Sequence, residues 1–369
     1  MIEGGTMQGN GEHHANDDTA RAAGFAAPFD RAAWFDLLAA HGFAGRGRFD
    51  ARGSTNGTSA WLPLRIEKPG HLAGLTNWYS FAIRPLYSAV IPGESGGAVP
   101  GKTSVADEIL GPGFRRRSRE AVGENHRHAA LADLFANLRR EAARLSLYPV
   151  REEEEQAILA ALRSAGWWTK ATPAGDRHWL DLGDMDHDSW WASRPGALRN
   201  TVQRKAKKGI VDIQLLTSFD PGSWAAYERI YAASWKPEEG DPALLRAFAE
   251  MESARGTFRM GIARIEGIPV AAQYWTVEDG SAFIHKLAHV EDSLKASPGT
   301  LLSAALFRHV IEVDRVLRVD FGTGNDAYKR DWMNRHEPLW RIEAFNPSRV
   351  AAWGPAFKAF AQTLLRKDR

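Results

Sequence analysis

Three segments carry residue types whose spacing could do chemistry. Ser297, Pro298, Gly299 and Thr300 stand between a strand-like run and a long helical pattern. There, backbone N–H groups and the helix dipole favour an anion such as a diphosphate. The same four residues also suit a plain helix start, with Ser297 or Thr300 as the capping hydroxyl. Gly96 to Thr103 reads GGAVPGKT and matches the phosphate-loop pattern G-x-x-x-x-G-K-T. Its setting is poor, because Pro92 to Ser95 separates it from the nearest strand and Gly111, Pro112 and Gly113 curtail any helix behind it. Arg194, Arg199, Arg204, Lys205, Lys207 and Lys208 lie in a stretch without an acid. They form either a solvated helix face or a cradle for a phosphate-rich carrier.

Other candidates are single residues. Asp320 ends a strand otherwise made of valine, leucine and phenylalanine, so it is a base, an orienting carboxylate, or the partner of Lys329. His285 and Lys286 are neighbours in a strand, and a period of two sends them to opposite faces. Lys286 then suits a phosphate or carboxylate, and His285 suits the packed side. Gln273 could hydrogen-bond substrate or lie on a wet sheet face. There is no H-E-x-x-H, and His126 with His128 stands in a basic segment, so no metal is expected. The absence of G-x-S-x-G and of a dinucleotide G-x-G-x-x-G in a strand-to-helix setting weakens hydrolase and dehydrogenase readings.

Composition narrows the class. The chain has 369 residues, 44% hydrophobic and 25% charged, enough for two domains. Lysine and arginine total 47 against 45 acids, and a net charge of +2 excludes the field of a dedicated nucleic-acid coat while leaving room for a local basic groove. With no cysteine, disulfides, thiolate metal sites and cysteine nucleophiles are excluded. No run is long and apolar enough for a membrane span, and the first residues do not read as a signal peptide, so a cytoplasmic protein is expected.

The elements that must position these residues follow from periodicity. Residues 1–28 are glycine-rich and polar and read as a disordered tail. Trp34, Phe35, Leu37 and Leu38 mark a first helix; Ser59 to Ile66, His71 to Asn77 and Tyr87 to Ile91 read as strands, and Pro92 to Gly113 as a long loop. A helix over 129–145, a strand over 146–150, a helix to Ser164, and paired strands at 167–172 and 178–182 about the turn Pro173, Ala174 and Gly175 complete a first unit, 29–183. The second unit, 184–369, opens with a helical pair broken at Pro195 and Gly196. A strand over 211–216 follows, then helices at 224–235 and 243–254 and a hairpin about Glu266 to Pro269. Next come a strand over 282–288, a helix over 300–313 and a strand over 316–321. This is an α+β pattern with one parallel crossover, and the first half roughly repeats it.

IPVAAQYW at 268–275, IHKLAHVEDSLKASPGTLL at 284–302 and VDFGTGNDAYKRDW at 319–332, with Ser234, Trp235 and Lys236 upstream, resemble the acetyltransferase-like domain of the GNAT superfamily. The likeness is to the form found in FemAB-type and cellulose-biosynthesis-associated proteins. It spans about 198–342, and LAGLTNWY at 72–79 resembles the strand pair of that group's amino-terminal half. The resemblance implies two GNAT-like units in tandem, the second passing an acyl group from a thioester carrier to an amine. It implies acetyl-coenzyme A or another acyl-coenzyme A as donor, with Ser297 to Thr300 at the diphosphate. By the same resemblance Tyr328 is the acid that protonates the departing thiolate, its other reading being a core aromatic; Asp320 or a water is the expected base. Gln273, Lys286, Lys329, Trp332 and Trp235 are the expected substrate contacts. The acceptor it favours is a small molecule or a glycan or peptide precursor of the cell envelope or an exopolysaccharide. The alternatives are a FemAB-type transferase using aminoacyl-tRNA, with the 194–208 run on the acceptor stem, a phosphate-loop NTPase through Gly96 to Thr103, and a non-catalytic binding module.

Overall fold

The computed structural model describes residues 27–43, 45–55, 57–89 and 123–367; most of the expected tail and the GGAVPGKT segment lie outside them. In the amino-terminal half, α1 (Ala32–Leu37) precedes β1 (Arg48–Thr55), β2 (Thr58–Lys68) and β3 (His71–Gly74), with β4 (Leu86–Ala89) paired to β2. Helix α2 (Glu124–Leu138) then crosses to β5 (Arg144–Arg151), and α3 (Glu152–Ser164) leads into β6 (Trp168–Asp181). In the other half, α4 (His187–Ala192) and α5 (Gly196–Ala206) precede β7 (Val211–Leu216). Next come α6 (Pro221–Ala232), α7 (Pro242–Ala254) and the antiparallel strands β8 (Phe258–Ile265), β9 (Ile268–Glu278) and β10 (Ser281–His289). Helix α8 (Pro298–Glu312) crosses to β11 (Arg318–Thr323), the short α9 (Lys329–Trp332) leads to β12 (Arg335–Phe345), and α10 (Trp353–Lys367) follows.

Each half therefore contains one crossover between parallel strands. In the first, His71 to Ala73 on β3 align with Arg144 to Ser146 on β5; in the second, Ser281 to Phe283 on β10 align with Arg318 to Asp320 on β11. The halves exchange their last strands: β6 pairs β11, β12 pairs β5, and β6 and β12 pair with each other from Arg335 opposite Trp179 to Phe345 opposite Trp168. All twelve strands thus belong to one sheet, in the order β1-β2-β3-β5-β12-β6-β11-β10-β9-β8-β7 with β4 off β2.

Local chemistry explains most boundaries. Asp220 and Asp241 cap α6 and α7 by accepting from the amides of Ser223 (2.7 Å) and Leu244 (2.9 Å), and proline fills the first helical position of each. Four glutamates open α3, where the dipole favours them. The turn expected at Pro173 to Gly175 does not form. Strand β6 runs through it, and a register shift against β12 between Leu339 and Trp340 absorbs the proline. Strand β1, whose sequence RFDARGST has no continuous apolar run, is found only in the structure.

One core fills the first half around Leu64, Leu134, Phe135, Leu147 and Leu162, and a second lies under α8 around Trp190, Trp275, Phe307 and Val319. A third joins the halves: Phe29, Trp34 and Phe35 pack with Phe248, Phe258, Tyr274 and Phe283. The first helix of the chain thus sits on the second half, anchored by buried Arg31, which pairs with Glu252 and Glu278.

Candidate active site

Beyond Phe283 and Asp320 the parallel pair separates. Strand β10 continues with β9 to His289, whereas β11 continues with β6 to Thr323 opposite Arg177, so a cleft opens between them. A β-bulge sits at its mouth: Ile284 faces Trp275 and Lys286 faces Tyr274, which leaves His285 without a cross-strand partner. The bulge overturns the alternation expected for His285 and Lys286, because both now face the α6 and α7 side. His285 is enclosed by Phe29, Phe81, Phe248 and Tyr274 and bonded to Thr276 Oγ1 at 2.8 Å. Burial lowers its pKa to about 3, so it is a neutral packed imidazole.

Lys286 projects into the cleft. Its Nζ donates to Glu239 Oε1 at 2.8 Å and lies over the rings of Tyr79 (4.5 Å) and Tyr231 (5.2 Å). Glu239, from the loop between α6 and α7, also accepts from Tyr79 Oη at 2.6 Å and Tyr227 Oη at 3.0 Å. Burial and this carboxylate push both phenols far above their ordinary pKa, so they remain donors. Burial pulls Lys286 downward and Glu239 opposes it. Nearby, Trp235 is half exposed and packs at a tilt against His289, ring centres 4.3 Å apart, while Lys236 lies over Tyr231 and Trp235. Burial and the charge of Lys286 lower the Lys236 pKa to about 8.

The first turn of α8 adjoins this group, with Gly299 against the His289 ring. Ser297 is left-handed (φ 55°), its side chain caps no amide, and Leu301 donates to the Ser297 carbonyl. Pro298 has no N–H, which leaves the amides of Gly299 and Thr300 as the open donors of this helix end. On the opposite lip, Tyr328 is 39% exposed with its ring edge on Phe321 at 5.6 Å, and burial followed by Asp326 raises its pKa, so the phenol stays protonated.

Residues 196–330 match the family described as an acetyltransferase (GNAT) domain. This stretch, from α5 to the start of α9, carries the GNAT acetyltransferase domain. The crystal structure of FemX superposes with a TM-score of 0.57 at 10% identity, over 96% of this chain and 99% of that one. The carboxy-terminal domain of a protein named as a lysylphosphatidylglycerol synthetase from Agrobacterium fabrum superposes with 0.53 at 12% identity, over 93% of each. At these identities the likeness is one of fold, and it extends through both halves. No curated protein sequence matches the chain.

Several residues expected at the site are buried and held by contacts within the protein. Asp320 is buried and accepts from Arg177 Nη2 (2.7 Å), Arg151 Nη2 (3.3 Å) and the Gly322 amide (2.9 Å). Burial alone would raise its pKa, but the two guanidiniums and the amide outweigh it and hold the carboxyl below its ordinary range. Its oxygens are thus engaged by Arg151, Arg177 and the Gly322 amide. Gln273 is buried behind α8, where its amide donates to Ser303 Oγ (2.7 Å) and the Gly299 carbonyl (3.2 Å) and accepts from Trp275 Nε1 (3.0 Å). It clamps the helix start. Trp332 is a core ring, stacked on Phe307 at 5.0 Å. Lys329 is buried with its Nζ on the Thr323 carbonyl (2.7 Å) and near Asp326 (3.5 Å), so it fixes the loop that carries Tyr328. Lys286, Trp235, Tyr328 and Ser297 to Thr300 remain around the cleft. Glu239 and Tyr79 escaped sequence reasoning because neither stands in a motif; only the LTNWY run, and two glutamates beside a glycine in an interhelical loop, hinted at them.

No helix among the described residues is long and apolar enough to cross a membrane.

Proposed function

We propose that the acyltransferase moves an acyl group from acyl-coenzyme A to an amine in the cleft between β10 and β11. The observation that carries this reading is the coincidence of a parallel pair that splits after three residues, a bulge presenting Lys286, and two open helix amides at the same end. Gly299 and Thr300 fit an anion and would hold the donor's diphosphate, and the donor supplies the activated thioester. The amine attacks as the neutral base and loses its proton to water, because Asp320 is committed to arginines. Tyr328, kept protonated, gives its proton to the departing thiolate. Glu239 holds Lys286 and Tyr79 in place.

A second reading, transfer from aminoacyl-tRNA, is favoured by one observation. Arg199, Arg204, Lys207 and Lys208 are exposed on or just after α5, and Lys205 reaches the Lys295 carbonyl just before α8. A basic face thus borders the same helix start. Arg194 is not part of it, being buried with its guanidinium on the Met333 carbonyl.

Thiol release from acetyl-coenzyme A by purified, ribonuclease-treated protein, with a panel of amines, tests the choice. Amine-dependent release supports the first reading. Inactivity with acetyl-coenzyme A, together with ribonuclease-sensitive transfer from charged tRNA, would replace it with the second.

A further inference from the structure

The floor of the cleft has an unbalanced charge. Lys236 feels the charges of two other ammonium groups, Lys286 and the buried Lys329, and of the carboxylates of Glu239 and Asp326. Glu239 is spoken for by Lys286 and two tyrosines, and Asp326 by Lys329. Lys236 is half-buried and, among the described residues, has no carboxylate within ion-pairing distance. The rings near its ammonium are Tyr231 at 6.0 Å and Trp235 at 5.8 Å, with His289 tilted against Trp235 beyond. Removing an ammonium from water without an anion is costly, and aromatic faces recover only part of that cost. Such a group is completed when a ligand brings the anion.

We propose that Lys236 binds an acidic group, a carboxylate or phosphate, on the amine acceptor, so that the acceptors of this enzyme are amines carrying negative charge. The proposal presupposes acyl transfer in this cleft. Lys236 stands in the loop between α6 and α7, within electrostatic reach of Asp326 in the loop after β11. An anion held there would keep the acceptor's amine over the split between the strands. Trp235, half exposed beside it, offers a flat face to the acceptor's carbon skeleton.

The test uses matched pairs of amines, glycine against glycinamide and 2-aminoethyl phosphate against ethanolamine. Each is titrated calorimetrically into the full-length protein without donor and then assayed with acetyl-coenzyme A. At least one anionic member should bind about 10-fold tighter than its neutral partner, and which pair shows the preference separates carboxylate from phosphate. Lys236→Gln should abolish the preference and raise the KM for the amine with little change in kcat, and Lys236→Arg should retain it. Equal binding within both pairs, no binding of either anion, or a preference intact in Lys236→Gln would overturn the proposal. So would a rise confined to the KM for acetyl-coenzyme A, which would give Lys236 to the donor's phosphates. Lys236-dependent binding of an anionic amine without turnover of acetyl-coenzyme A would sink the donor assignment and leave the acceptor subsite standing. Thermal melts of both variants guard against misfolding.

Discussion

The two crossovers share a plan and differ in what fills the gap beyond the paired residues. In the first half the chain leaves β3 at Gly74 and folds back over β5: Thr76 Oγ1 donates to the Tyr148 carbonyl at 2.7 Å and the Ile83 amide to the Pro149 carbonyl at 2.7 Å. Ile83 fills the space a side chain at Gly74 would need. That gap is closed by its own backbone. In the second half β10 and β11 part without such a return, and the floor of the gap is supplied from the first half. Phe81 packs on Phe283, His285 and Gly322, and Tyr79 on Glu239 and Lys286. The segment 75–83 therefore seals one cleft and furnishes the other. One unit has become a support for its neighbour, which accounts for a continuous sheet with exchanged strands.

The largest expected effect breaks the frame that joins the halves. Asp320→Ala leaves Arg177 and Arg151 buried against each other, and denaturant melts should show a loss of roughly 3–5 kcal/mol. The folded-state pKa of Asp320 is depressed, so its contribution is present above the unfolded value near ~3.9 and is lost as pH falls through the lower folded value. Wild-type stability should therefore drop in that acidic window, and the drop should be smaller in the variant. Next, Tyr328→Phe should lower kcat about 100-fold with an unchanged fold, as measured by steady-state thiol release and circular dichroism.

Two glycines separate the clefts more finely. Gly322 has φ 67°, and a Cβ there would come within 2.8 Å of the Phe81 ring. Gly322→Ala should cost roughly 2–4 kcal/mol and impair transfer, since both backbone and packing resist it. Gly74→Ala meets only the tip of Ile83, which can turn away, and should cost less and spare activity. The smallest effect is that of Thr76→Val, which removes one hydrogen bond closing the first gap: about 1 kcal/mol in a denaturant melt, with transfer unaltered.

Much of this plan was legible in the sequence. The 3.6-residue periodicity gives α6 and α7, and apolar runs give β8 to β11, because each follows from local preference. The GNAT likeness covered the strands that part, β10 and β11. What was not legible depends on distance or on a broken rule. In sequence Asp320 suits a base, an orienting carboxylate, a helix cap or a partner of Lys329, and nothing local points to Arg151 and Arg177, 169 and 143 positions away, which close on it. A single unpaired residue at the bulge turned Lys286 to the face of His285. Pro173 and Gly175 carry turn composition, yet β12 holds them in a strand. Tyr79 and Glu239 meet across 160 positions, which no window of local pattern spans.

The most direct measurement is a crystal structure with a non-hydrolysable thioether analogue of acetyl-coenzyme A. The expected density places the diphosphate on the amides of Gly299 and Thr300 and the sulfur between β10 and β11 within reach of Tyr328. Density for the analogue against the first half, or elsewhere on the second with this cleft unchanged, would contradict acyl transfer here.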